Sequence, residues 1–188
     1  MGMRTFLAVP CADAVSARVC QLVSQLGEFS SQVKWVDPEN LHLTLKFFGT
    51  IGDQEVVEIM RGVQPVVEAW SPIYVQFGGA GAFPALDRPR TLWVGLTAGG
   101  ESLIDLQKAI DQSLSRRGFP KEGRRFHPHI TVGRVRDGAS QAKLAAQLAT
   151  LQDFDVGEST LDEVELVMSK LQPDGPVYTT LARFDMQG

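Results

Sequence analysis

The chain has 188 residues, 44% of them hydrophobic and 21% charged, which is enough apolar material for one generous core or two small lobes and excludes a disordered chain. Its formal net charge of −4 excludes a protein that coats nucleic acid through a broad basic face, since phosphate neutralisation needs clustered Lys and Arg, but it leaves room for a small anionic end group. No apolar run approaches the ~20 residues that span a bilayer, and the opening MGMRTFLAVP lacks the apolar region and cleavage site of a signal peptide.

Residues 5–9 read as a short apolar strand ended by Pro10, after which Val15, Val19, Leu22, Val23 and Leu26 recur at helical spacing up to Gly27. Cys11 and Cys20 are expected on or beside that helix as small apolar residues, which suits a reducing cytoplasm. A brief strand is predicted over 33–36, a turn over 37–40, an alternating strand over 41–48 and a turn over 49–53. Asp53 is the predicted N-cap of a helix with Val56, Ile59, Met60, Val63, Val66 and Val67 on one face, its end bracketed by Pro65 and Pro72. Strands at 73–77 and 91–97 flank residues 78–90, a Gly- and Pro-bearing stretch that reads as an exposed loop.

A third helix over 101–117 carries Leu103, Leu106, Ile110 and Leu114 on its buried stripe, followed by a polar loop over 118–125 and a strand over 129–135. Ser140 is the predicted N-cap of a helix with Leu144, Leu148 and Leu151, and strands over 164–168 and 176–184 close the chain. The mixture is α+β.

One pattern occurs twice. His42-Leu43-Thr44 is followed eleven residues on by Asp53, and His129-Ile130-Thr131 eleven residues on by Ser140, so the halves read as related lobes of one domain, residues 1–188. Strand parity puts His42 and Thr44 on one face, with Lys46 beside them, while Leu41, Leu43 and Leu45 enter the core. It likewise joins His129 to Thr131 and turns Ile130 and Val132 away.

Two imidazoles and two hydroxyls on a common surface suit phosphodiester cleavage. A neutral imidazole takes a proton from attacking water, an imidazolium delivers one to the departing oxygen, and the hydroxyls donate to non-bridging oxygens as charge grows there. A catalytic metal is not expected: HExxH is absent, the carboxylates do not cluster with the histidines, and three histidines are too few for a two-metal site. His127 precedes Pro128, has no counterpart near His42, and is placed outside the site. The group Arg116, Arg117, Lys121, Arg124, Arg125, Arg134 and Arg136 is either a solvated face or an RNA-backbone track, with Arg134 its best substrate-binding candidate. Trp35 and Trp93 are candidates for base stacking or for the core.

The stretch from Trp35 to Gly49, WVDPENLHLTLKFFG, and that from Phe126 to Arg134, FHPHITVGR, resemble the two signatures of the two-histidine (2H) phosphoesterases, in particular the LigT-like RNA 2′,3′-cyclic phosphodiesterases. Arg4 to Val9, Pro89 to Leu96 and Gly175 to Tyr178 are similar to that family too, so the likeness covers nearly the whole chain. It implies a bilobal fold in which two antiparallel-sheet lobes with outer helices enclose a central cleft about a pseudo-twofold axis. It also implies that His42 is the proton donor, that His129 is the proton acceptor, and that Thr44 and Thr131 hold the phosphate. Water would open the ring to a 2′-phosphomonoester without a cofactor, on RNA ends or small cyclic nucleotides, in a monomer with no obligatory protein partner and no membrane. The alternatives are a 2′,5′ RNA ligase and a non-catalytic module that binds nucleotides or RNA ends. The second signature more often ends Leu-Ala-Arg, and the Gly133 found here leaves the direction of Arg134 open.

Overall fold

The computed structural model describes residues 2–136, 141–173 and 175–188. Its strands are β1 (Met3–Pro10), β2 (Val33–Trp35), β3 (His42–Ile51), β4 (Ile73–Ala85), β5 (Arg88–Ala98), β6 (Ile130–Val135), β7 (Asp155–Leu161), β8 (Glu163–Gln172) and β9 (Gly175–Asp185). The helices are α1 (Asp13–Gln25), α2 (Asp53–Glu68), α3 (Gly100–Ser115) and α4 (Ala142–Ala149). The α+β expectation holds.

Every strand pair is antiparallel, in the order β7-β4-β5-β6-β3-β1-β8-β9, with β2 added to β6. The two strands that carry the His-x-Thr motifs at their starts, β3 and β6, sit at the centre and meet through Leu43 and Ile130. Four strands therefore lie on each side: β3-β1-β8-β9 and β6-β5-β4-β7. This order departs from chain order, because β4 joins the half that contains β5 and β6 while β8 and β9 return to complete the half that contains β1.

The sheet is buried on one face by the helices. Leu7, Val9, Leu43, Leu92, Val94, Ile130 and Leu166 point there, into one core with Leu22 of α1, Val63 of α2, Leu106 and Ile110 of α3 and Leu144 of α4. Each such side chain contributes about 1.5–3 kcal/mol by leaving water. On the opposite face Phe6, Ala8 and Val167 pack together with Tyr178, so β1 is apolar on both sides.

Several sequence expectations are corrected. The strand predicted over 41–48 runs on to Ile51, with Gly49 in a left-handed conformation (φ 74°) where the pairing with β1 shifts register. Gly52, not Asp53, is the N-cap of α2; its N–H donates to Glu55 Oε2 at 2.8 Å, and the helix passes through Pro65 to Glu68. The largest change concerns residues 78–90. They form most of a long hairpin, β4 and β5, joined by Leu86 and Asp87. The glycines that suggest a loop serve close packing instead: a Cβ on Gly81 would lie 2.3 Å from the Trp93 ring. β7 escapes sequence reading because DVGESTL offers only Val156 and Leu161 as buried apolar residues. Ser140 lies outside the described residues.

Candidate active site

Pairing between Leu43 and Ile130 fixes the centre of the site. The same antiparallel register, carried one residue either way, would set His42 opposite Thr131 and Thr44 opposite His129, and strand alternation turns all four away from the core side taken by Leu43 and Ile130. Residues directly opposed in this way hold their Cβ atoms about 4.5–5.5 Å apart. Each histidine thus faces the other motif's threonine, an arrangement in which a group held between the hydroxyls is flanked by both imidazoles.

Both rings are oriented by the same device. Nδ1 of His42 lies 2.7 Å from the carbonyl oxygen of Asn40, and Nδ1 of His129 lies 2.6 Å from that of His127. A carbonyl only accepts, so Nδ1 carries the hydrogen and donates it, which leaves Nε2 of each ring as the nitrogen that exchanges protons. His127 plays a structural part: its backbone carbonyl holds His129, its ring lies 6.2 Å from that of His129, and the Asn40 carbonyl is its counterpart beside His42.

Aromatic walls complete the orientation. Phe6 stacks on His42 at 4.8 Å between ring centroids and Tyr178 meets it edge-on at 5.4 Å. On the other side Phe83 meets His129 edge-on at 5.0 Å, and Trp93 packs against Phe83 and His127. Trp93 thus belongs to the site wall, whereas Trp35 covers Gly133, where a Cβ would lie 2.8 Å from its ring. Phe6, Tyr178 and Phe83 escape sequence reading because isolated aromatics in strands carry no signal of what they flank.

A bulge after each motif sets the direction of the next side chains. In β3 the register with β1 steps from Ala8 opposite Thr44 to Leu7 opposite Lys46, so one extra residue is inserted and the alternation reverses. Lys46 consequently turns to the helix side, where it is buried, pairs with Asp111 of α3 and donates to the Pro120 carbonyl at 2.9 Å. The expectation that Lys46 shares the polar face is overturned for this reason. In β6 the register with β5 steps from Trp93 opposite Thr131 to Leu92 opposite Gly133, the same insertion. It sends Gly133 beneath β2 and returns Arg134 to the site face, beside Thr91, whose Oγ1 is 3.4 Å from Arg134 Nη1. Phe47 and Arg134 occupy matching places in the two motifs. Within the remaining basic group, Arg117 is engaged by Glu58 of α2 at 2.7 Å, on the helical side of the sheet.

Burial lowers the pKa of His42, the Asn40 hydrogen bond works against that shift, His129 adds to it and Glu165 opposes it. Burial likewise lowers that of His129, with the His127 hydrogen bond in opposition and the charges of His127 and Arg134 pushing further down. Burial thus biases both imidazoles towards their neutral forms, and the charged groups around each ring decide how far. A cavity of about 380 Å³ opens beside His42, lined by Phe6, Ala8, Asn40, Glu165, Tyr178 and Thr180. Among the described residues no three His, Cys, Asp or Glu side chains converge as a metal-ligand set, and no helix is long and apolar enough to cross a membrane.

Known proteins resemble this chain over nearly its whole length. The model of the 2′-5′ RNA ligase superfamily matches residues 12–172. The chain is 38% identical to a protein of Methanothermobacter thermautotrophicus named RNA 2′,3′-cyclic phosphodiesterase, covering 98% of this chain and 99% of that one. It is 31% identical to an Aquifex aeolicus protein of the same name, covering 99% and 98%. Among solved structures, TT0787 of Thermus thermophilus superposes with a TM-score of 0.84 at 27% identity over 99% of both chains.

Proposed function

Because this chain belongs to the 2′-5′ RNA ligase superfamily, that of the two-histidine phosphoesterases, we propose that it hydrolyses RNA 2′,3′-cyclic phosphodiester ends to 2′-phosphomonoesters. The observation that carries this reading is the crossed pair of His-x-Thr motifs on one sheet face, each with its Nδ1 tied to a backbone carbonyl.

The phosphate sits between the hydroxyls of Thr44 and Thr131, which donate to its non-bridging oxygens, with the guanidinium of Arg134 adding charge at the same face. His129 takes a proton from water through Nε2 as the water oxygen bonds to phosphorus. The P–O3′ bond breaks, and His42 delivers its Nε2 proton to the departing O3′. The product carries a 2′-phosphate and a 3′-hydroxyl; proton exchange with solvent then resets the two rings. Every proton is moved by histidine, so turnover is expected to survive excess chelator. A cytoplasmic location suits the two cysteines, both free thiols.

The test is a short RNA ending in a 2′,3′-cyclic phosphate, incubated with purified protein and chelator. Conversion to a product with one added water and a phosphatase-labile 2′-phosphate is the expected outcome; unchanged RNA sinks the proposal. The superfamily's description also names a ligase, which fits a parallel ring opening in which a 5′-hydroxyl RNA replaces water as the nucleophile. Adding such an RNA to the same assay reads it directly as a longer product.

A further inference from the structure

The two motifs are alike in sequence and in the way their rings are held, yet acid–base catalysis needs one ring charged and the other neutral. What surrounds them is not alike. Across the sheet from Thr44 the site face runs Ala8 on β1, Glu165 on β8 and Arg183 on β9. The matching path from Thr131 runs Trp93 on β5 and then Gly81 on β4. Where one half carries a carboxylate behind a methyl group, the other carries a hydrogen covered by an indole.

Glu165 is mostly buried, its side chain 12% exposed, and it lines the same cavity as His42. One of its oxygens, Oε1, accepts from Arg183 Nε at 2.9 Å, and Arg183 itself is 65% exposed, so water screens the guanidinium far more than the carboxylate. Other charged or titratable groups also face His42. Glu39 lines the cavity from the turn before β3, Tyr178 comes from β9, and His129 approaches from the facing motif. Strand β1 offers only Phe6, Ala8 and Pro10 to that cavity. Around His129 the charges that act are of the opposite sign, His127 and Arg134.

Resting on the hydrolytic reading above, we propose that Glu165 is the positioning residue that makes His42, rather than His129, the proton-carrying member of the pair. Its carboxylate holds positive charge on the His42 ring from across Ala8, while Arg134 and His127 keep the His129 ring neutral and able to accept. The direction of proton flow through two like motifs is thus set by Glu165 on the His42 side against Arg134 and His127 on the His129 side.

The experiment is a histidine NMR titration of the full chain, whose three histidines are resolved and assigned with single His→Gln variants. In the unsubstituted protein His42 titrates at higher pH than His129. Glu165→Gln, which preserves shape, lowers the His42 midpoint by about half a pH unit or more and leaves His129 nearly unmoved. Arg183→Met, which removes the competing cation, moves His42 the other way. The alkaline limb of the cyclic-phosphate rate profile follows His42 in both variants, a response that a merely structural glutamate would not produce. His42 indifferent to both substitutions, or the two histidines shifting equally, overturns the proposal. A protein that fails to open the cyclic phosphate while His42 responds as described refutes the hydrolytic reading and leaves the electrostatics intact, so the two failures are distinguishable.

Discussion

Replacing Lys46 with Met tests the bulge in β3, because only the reversed alternation puts this side chain among the helices. Lys46 is 4% exposed and Asp111 13% exposed. Lys46→Met removes the charge-assisted hydrogen bond to Asp111 and the one to the Pro120 carbonyl, and leaves a mostly buried carboxylate supported only by the Glu122 N–H at 3.2 Å. Breaking a buried pair from one side typically costs 3–5 kcal/mol, and the residual exposure of Asp111 places this case at the low end, about 3 kcal/mol. With a urea slope of about 2 kcal/mol/M, the unfolding midpoint falls by about 1.5 M. The pair also ties β3 to the segment that leads into His127 and His129, so turnover falls under conditions where the variant remains folded. The double variant Lys46→Met with Asp111→Leu recovers most of the stability, since removal of both charges avoids the orphaned carboxylate. A single variant that loses less than about 1 kcal/mol, or a double variant no better than the single, refutes burial of Lys46 against α3.

His42→Ala and His129→Ala each lower kcat by about 10²–10⁴-fold with an unchanged circular dichroism spectrum, since neither ring lies in the helix-side core; activity retained in either ends its acid–base role. Arg134→Ala lowers kcat/KM for the cyclic-phosphate RNA by about 10–100-fold, the worth of a charge-assisted contact, and Arg134→Lys recovers part of it. Stability depends on pH through the two histidines. Burial holds both below the ordinary value, so the unfolded chain takes up protons first as pH falls; the stabilisation is fully present above about pH 6.5 and is lost as pH drops through the folded values. Urea midpoints measured from pH 7.5 to pH 5 therefore decline, less steeply in the His42→Ala variant, and a slope indifferent to both histidines contradicts their burial.

Much of the site is legible in the sequence because a strand's period of two is rigid over three residues. His42 with Thr44 and His129 with Thr131 need nothing beyond local alternation, and the residue between each pair, Leu43 or Ile130, is fully apolar and buried. Alternation becomes unreliable at the fourth residue after each histidine, where a bulge inserts an extra position that no local pattern announces. Parity alone misplaces Lys46 for that reason and does not fix the direction of Arg134. Composition hides the hairpin of β4 and β5: Gly78, Gly79 and Gly81 are turn formers by local preference, and only tertiary neighbours, the Trp93 ring against Gly81 and the Gln152 carbonyl against Gly79, explain glycine in these strands. Strand order is out of reach as well, since β8 pairs with β1 from the far end of the chain.

The same two bulges add a second asymmetry to the site face, beside that of Glu165. Both insert one residue after His-x-Thr, and both thereby return the sixth residue of the motif to the site face. In the first motif that residue is Phe47, 63% exposed and packed against Phe6; in the second it is Arg134. A symmetric frame therefore presents an apolar ring at one end and a guanidinium at the other. Burial raises the pKa of Tyr178, and the charges of Arg134 and Arg4 draw it back down. Exchange of Phe47 and Arg134 in a double variant would leave both His-x-Thr motifs intact while reversing this bias. A loss of turnover well beyond that of Arg134→Ala, with both histidines still titrating, would locate the polarity in these two positions, whereas a loss no greater than that of Arg134→Ala would show that Arg134 acts only as a phosphate contact.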